Sequence, residues 1–407
     1  ELQKGGYQTA LVGKWHLHAK PSGFDYFNVL PNQGKYWNPK LKTADIWEDG
    51  GKGGVEHKGF STDVITDLTL DWIDNRDKEK PFYMMCHFKA THEPFDFPDR
   101  FKDLYVDEEI PEPASLHDFG PETTNRTFEG QVLENLGRRW ETASKKPDEW
   151  WTNYPGLPFS TEGMAPKAAR SKIYQKLIKD FMRSGAAIDD NIGKILNYLK
   201  ENDLEKNTIV IYCADQGYFL GEHGFFDKRM IYEESMRMPF VIRYPQEIKK
   251  GQRLDDIVLN VDFPALFLDY AKIEKPDYMQ GHSFRDNLKG QTPIDWRTSM
   301  YYRYFAHDRH RPAHLGLRNE DYTLAFFYGK GLGLPGANND PDRQTTPAWE
   351  LYDLKKDPYQ TSNVYGLTSY ADITAQMKKE IIEQRKQLKD NDAAHPEMQA
   401  VMANYWN

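Results

Sequence analysis

Four short segments hold side chains that together could act on an anionic ester. Gly13-Lys14-Trp15-His16 sets a cation and a titratable imidazole two positions apart. In an extended segment both point to the same side and share one pocket wall. Thr91-His92-Glu93-Pro94 closes an apolar run, and its proline favours a turn that leaves His92 at a strand rim. An imidazole there can give up a proton near neutral pH. Ala214-Asp215-Gln216-Gly217 ends a second apolar run with a carboxylate and an amide on adjacent residues, oxygen donors that suit a hard cation such as calcium. Gly224-Phe225-Phe226-Asp227-Lys228 is a glycine-led loop whose lysine could reach an anion over the Asp215 site. Each segment alone has a plainer reading: a satisfied structural histidine, an ordinary Asx turn, a solvated lysine.

The elements that must position these groups alternate in type. Residues 9–17 read as a strand, and residues 21–60, rich in Gly, Asn, Lys and aromatics, read as a long functional loop. A helix is expected over 62–75 and a strand over 81–90. Residues 96–166 have no clean period and read as a surface excursion with short helices. A long helix follows over 167–199, with a break expected near Gly185, and then a buried strand over 207–214. Helices alternating with all-apolar strands point to an α/β, three-layer arrangement around a mostly parallel sheet. After Gly290 the pattern changes to short strands over 300–305, 314–317, 322–328 and 349–354, with a closing helix over 377–388. The expected division is therefore a catalytic domain over 1–290 and a small α+β subdomain over 291–407.

A chain of 407 residues suits two such units. Its net charge of −9 is spread along the sequence without a basic stripe, which argues against nucleic acid as a partner. Ten Trp and 24 Tyr, many in polar stretches such as residues 33–39, offer stacking faces for sugar rings or simply half-wet core positions. Cys86 and Cys213 each lie within an apolar run and read as small core residues, not a disulfide framework. No apolar run reaches the roughly 18 residues of a membrane-spanning helix. The opening Glu1-Leu2-Gln3-Lys4-Gly5-Gly6 reads as the end of a helix.

In combination and order these motifs resemble the sulfatase family of the alkaline-phosphatase-like superfamily. Gly6-Tyr7-x-Thr9 with Gly13-Lys14-Trp15-His16-Leu17 is similar to that family's second signature, and Thr91-His92-Glu93-Pro94 to its histidine loop. Asp215-Gln216-Gly217 resembles its late metal pair. Lys228 with Glu234-Ser235-x-Arg237-x-Pro239 resembles its sulfate-binding lysine segment, and Glu350-Leu351-Tyr352-Asp353-Leu354 with Asp357-Pro358 the entry to its last elements. The resemblance implies the alkaline-phosphatase-like fold, a Ca2+ ion on Asp215 and Gln216, and sulfate oxygens held by Lys14 and Lys228. It also implies that His16 assists the nucleophile and that His92 protonates or stabilises the departing sugar oxygen. In-line displacement at sulfur needs positive charge on the equatorial oxygens and a proton for the leaving alcohol.

One departure stands out. The family's nucleophile is a formylglycine made from Cys-x-Pro-Ser-Arg or Cys-x-Ala-Ser-Arg, or from serine in a few members, and neither pattern occurs here. The early paired aspartates of the family's metal site are absent as well. Both precede the Gly-Lys-Trp-His segment in the family, so the expectation is a chain whose start is lost, inactive by itself. A formylglycine-generating enzyme would be its maturation partner. Residues 23–27 and 30–39 resemble a loop of carbohydrate sulfatases close to the N-acetylglucosamine-6-sulfatases, which implies a sulfated carbohydrate substrate and a periplasmic or secreted location. The same resemblance makes His314 and Arg318 candidates for sugar contacts, with ordinary strand-surface residues as the alternative. A phosphodiesterase or phosphonate hydrolase of the same superfamily is the nearest rival, and a noncatalytic glycan-binding protein the second.

Overall fold

The structure is a computed structural model that describes residues 1–47, 52–117, 130–146, 153–308, 311–332, 344–393 and 395–406. A 3-10 turn at Leu2–Gly5 ends on Gly6 in the left-handed region and leads into strand β1, Gln8–Trp15. Strand β2, Tyr26–Pro31, helix α1, Ser61–Asn75, and strand β3, Phe82–His87, complete a parallel sheet with β1 at its centre. β2 corrects the reading of residues 21–60 as one loop. Its inner four residues are buried, and a strand covered on both faces shows no period-two alternation to betray it. Asp25 anchors its start by accepting hydrogen bonds from the Thr9 backbone N–H and hydroxyl.

Apolar layers cover both faces of this sheet. On one, Leu30 meets Val64 and Leu68 of α1, and Trp72 lies between Tyr26 and Phe82. On the other, Leu11, Phe27, Val29 and Met85 pack with Trp47. Beyond the sheet come helix α2, Leu133–Lys145, helix α3, Pro166–Glu201, strands β4, Val210–Cys213, and β5, Phe240–Arg243, and helix α4, Phe263–Tyr270. Phe267 of α4 reaches Tyr83 of β3, with ring centroids 5.4 Å apart. The helix expected to break at Gly185 is continuous through it. The glycine faces the histidine turn, where an added Cβ would lie 3.9 Å from the Thr91 methyl.

β4 pairs antiparallel with β5 alone, so among the described residues its other edge is unpaired, as is the outer edge of β3. Cys213 is exposed, against the expectation of a core cysteine. An apolar run promises burial only where neighbours cover both faces and edges, and here one flank of the strand is open.

Strands β6, Ser299–Tyr304, β7, His314–Asn319, β8, Tyr322–Phe327, and β9, Ala348–Asp353, form an antiparallel sheet in sequence order. Leu315, Leu317, Leu324, Phe326 and Leu351 point to one face. There they pack on Met377 and Ile381 of helix α5, Ala371–Gln387, and on Met398 and Val401 of helix α6, Pro396–Tyr405. Ala325, Phe327 and Tyr352 point to the other face and pack on Phe219, Phe225, Met230, Ile231 and Tyr232. The second sheet is thus the floor beneath the Lys228 loop. Beside it, Arg303 is nearly enclosed and pairs with Asp390 and Asp392. Arg303→Ala removes one of the two arginines that pair with these carboxylates, Arg385 being the other, and it is expected to lower the unfolding free energy by about 1–3 kcal/mol in a denaturant titration.

Candidate active site

Lys14 lies near the end of β1, one residue after Gly13. The glycine is at φ 108°, and a Cβ there would sit 2.0 Å from the His87 carbonyl oxygen. Only glycine allows β1 and β3 to approach so closely in that conformation. The Lys14 ammonium donates to Gln33 Oε1 at 3.1 Å. Burial and the neighbouring charge of Lys228 bring its pKa down to about 8, with Asp215 opposing the shift. His16, just beyond the strand, is depressed by burial and then by Lys14, His18, Lys89 and Lys228.

His92 sits on the turn that follows β3. Its Nδ1 lies 2.8 Å from the Glu93 carbonyl and its own carbonyl accepts the Tyr36 hydroxyl at 2.7 Å. The first contact assigns the proton to Nδ1 and leaves Nε2 unprotonated in the neutral ring. Burial, then Lys14 and Lys228, push the imidazole down to about 3, so it is neutral in the empty pocket. Glu93 is held by Arg139 of α2 and by the Tyr154 hydroxyl.

Lys228 rides a loop fixed from several sides. Asp227 and Arg229 both have positive φ, 77° and 97°, a conformation that persists in non-glycine residues only where surroundings enforce it. Gln131 donates to the Lys228 carbonyl at 2.7 Å, the Arg229 N–H donates to Ser235 Oγ at 2.7 Å, and the Tyr302 hydroxyl donates to the Arg229 carbonyl at 2.8 Å. The Lys228 ammonium lies 3.3 Å from Asp227 and 5.6 Å from the centre of the Tyr218 ring. Tyr218 in turn packs on Phe95 of the histidine turn. One apolar cluster around Leu133, Trp140 and Leu177 buries both Phe95 and Phe226, so α2 and α3 set the two loops against each other.

Asp215 follows β4 closely enough to influence Lys14 and His87, and its Oδ1 accepts a hydrogen bond from Gln216 at 3.0 Å. Gly217 behind them admits no side chain, since a Cβ would lie 2.1 Å from the Glu234 carbonyl. These two residues offer oxygen donors of the right kind for calcium, which takes six to eight. Among the described residues no group of three or more His, Cys, Asp or Glu side chains forms a metal cage. The fit is therefore partial.

Lys14 thus feels Lys228 and Asp215, both lysines act on His16 and His92, and Gln216 is bonded to Asp215, although these residues span more than half of the sequence. His314 and Arg318 do not join them. His314 has no exposed surface and packs among Tyr302, Tyr304 and Phe327, so its place in the inner face of β7 corrects the expectation of a sugar contact. Arg318 pairs with Glu233 at 2.7 Å in a depression shared with Glu234, Arg237 and Tyr359. Sequence reasoning also passed over Lys89, whose charge acts on His16 and His92. Its one signal was a lysine at the end of an apolar run.

The model of the sulfatase family matches residues 2–273, and that of the N-sulphoglucosamine sulphohydrolase C-terminal region matches residues 221–387. An N-acetylglucosamine-6-O-sulfatase of Bacteroides thetaiotaomicron is 38% identical over 96% of this chain and 72% of its own. A solved structure of a protein in complex with its substrate D-glucosamine-2-N,6-O-disulfate superposes with a TM-score of 0.82 at 35% identity, covering 97% of this chain and 82% of that one. The phosphonate monoester hydrolase of Agrobacterium radiobacter shares the fold, with a TM-score of 0.65 at 18% identity over 95% of this chain and 79% of its own. The fold by itself does not separate sulfur from phosphorus chemistry. The family match and the 38% relative do, and the chain belongs to the sulfatase family of sulfuric ester hydrolases.

Proposed function

We propose that this protein hydrolyses a sulfate ester on a carbohydrate, with a 6-sulfated amino sugar as the first substrate to try. The observation that carries this reading is the meeting of Lys14 and Lys228, two cations close enough to depress Lys14, beside a neutral His92 and the Asp215 carboxylate. Like charges held together in a half-buried site favour a bound anion. In this reading Lys14 and Lys228 hold sulfuryl oxygens, and His16 stands beside the nucleophile. The anion's charge raises the proton affinity of His92 Nε2, which can then protonate the departing sugar oxygen. Asp215 and Gln216 would hold a calcium ion together with further oxygens, and when bound that ion supplies positive charge to the ester.

The nucleophile in this proposal is a formylglycine, installed by a formylglycine-generating enzyme in a Cys or Ser motif not found among the 407 residues. The substrate class is drawn from the relative named for N-acetylglucosamine 6-O-sulfate and from the disulfated glucosamine complex. Such substrates are extracellular, so we place the protein in the periplasm or outside the cell. Among the described residues no helix is long and apolar enough to cross a membrane. The test is sulfate release by protein carrying the nucleophile, assayed on 6-sulfated N-acetylglucosamine, other sulfated sugars, and phosphate and phosphonate esters. Sulfate release from the amino sugar is expected. Preferential cleavage of the phosphorus esters, or glycan binding without release across the panel, would reject the proposal.

A further inference from the structure

Lys89 is 3% exposed, and among the described residues no hydrogen bond or ion pair meets its ammonium. Lysine is rarely buried without a partner, because desolvating an unpaired charge is costly. The surroundings show why it is unpaired. Its Nζ stands 4.7 Å from the centre of the Tyr36 ring, which is stacked on Phe60 with centroids 5.4 Å apart and donates its hydroxyl to the His92 carbonyl. The aromatic platform thus joins the Lys89 ammonium to the histidine turn. The charged groups facing it are Lys14, Glu93 and Asp96, and it acts in turn on His16 and His92.

We propose that Lys89 is a third cation of the anion site, a binding residue that meets the sulfuryl group together with Lys14 and Lys228. This rests on the anion site proposed above and extends it by one residue. A buried ammonium with an aromatic face behind it and no partner is a site waiting for an anion, since the anion would supply the missing counter-charge. Burial, then Lys14, hold Lys89 down to about 7 against the pull of Glu93 and Asp96. Asp96 itself is pushed up to about 6 by burial and so is a poor standing counter-ion at acid pH. Above neutral pH the empty site keeps Lys89 largely uncharged, and a bound anion favours its protonated form. Anion binding should therefore take up protons.

The experiment is calorimetric titration of the 407-residue protein with sodium sulfate at pH 8, in two buffers of different ionisation enthalpy, for the parent, K89M and K89R. The parent is expected to bind sulfate with proton uptake. K89M should weaken sulfate by about tenfold or more, the loss of a charged hydrogen bond, and should reduce the uptake, whereas K89R should retain most of the affinity. Thermal melts accompany each titration, and K89M should melt no lower than the parent because it replaces a buried amine that has no hydrogen-bond partner among the described residues with an apolar side chain of similar length. If K89M does not fold, the comparison of K89R with the parent decides, through the pH dependence of its affinity. Arginine stays charged, so K89R should lose the tightening on acidification through neutrality that the parent shows. Sulfate affinity and proton uptake unchanged in K89M, or an unchanged pH dependence in K89R, would overturn the role of Lys89 and leave the Lys14 and Lys228 site standing. No sulfate binding by the parent would overturn both.

Discussion

His92→Ala, in protein carrying the nucleophile, lowers kcat for sulfate release by about 10²–10⁴-fold, the range expected when a positioned general acid is lost. The fold should survive. The imidazole is anchored through its own loop, and the turn is held independently by Tyr36 on the His92 carbonyl and by Arg139 and Tyr154 on Glu93. The pH dependence supplies the sign. An acid must be protonated to act, so kcat falls as pH rises through the pKa of His92 in the complex. That value lies above the empty-site value of about 3 because the bound anion offsets the charges of Lys14 and Lys228. His92→Ala should lose this alkaline limb. An intact limb together with unchanged turnover would remove His92 from the acid role.

Lys228→Ala should cost about 10²–10³-fold in kcat, the loss of one preorganised charge on the developing anion. A second readout is independent of turnover. Lys228 is the main like charge depressing Lys14, after burial, so removing it should raise the Lys14 pKa above about 8. NMR titration of isotopically labelled lysine would register the change. A Lys14 pKa that stays in place would mean that the two ammonium groups do not share a site, whatever the activity.

The residues proposed to do chemistry were more legible than the elements between them. Gly13-Lys14-Trp15-His16 could be read because its glycine, cation and imidazole each answer to a local demand: close approach to His87, charge, and titration. The Asp215-Gln216 pair was equally readable as the end of an apolar run. β2 was missed because both of its faces are covered and its pattern carries no period. The break expected at Gly185 did not occur, because tertiary packing of α3 against α1 and α2 outweighs the weak helix propensity of one glycine. His314 misled because its face of β7 does meet the Lys228 loop, yet Tyr302, Tyr304 and Phe327 close over the ring, and sequence alone does not show which residues of that face stay open. In the structure the inner face buries His314 beside Phe327. Lys89 was overlooked for the opposite reason: a lysine ending an apolar run reads as the place where the chain returns to water, yet Tyr36, supplied by a distant loop, covers it.

The most direct test of convergence on one anion is an NMR titration of the 407-residue protein with sodium sulfate, following the imidazole resonances of His16 and His92 in the same samples. One shared anion site predicts that both move along a single saturation curve, with His92 shifting towards its protonated form. Resonances that saturate with different constants, or a response in one histidine and none in the other, would contradict it.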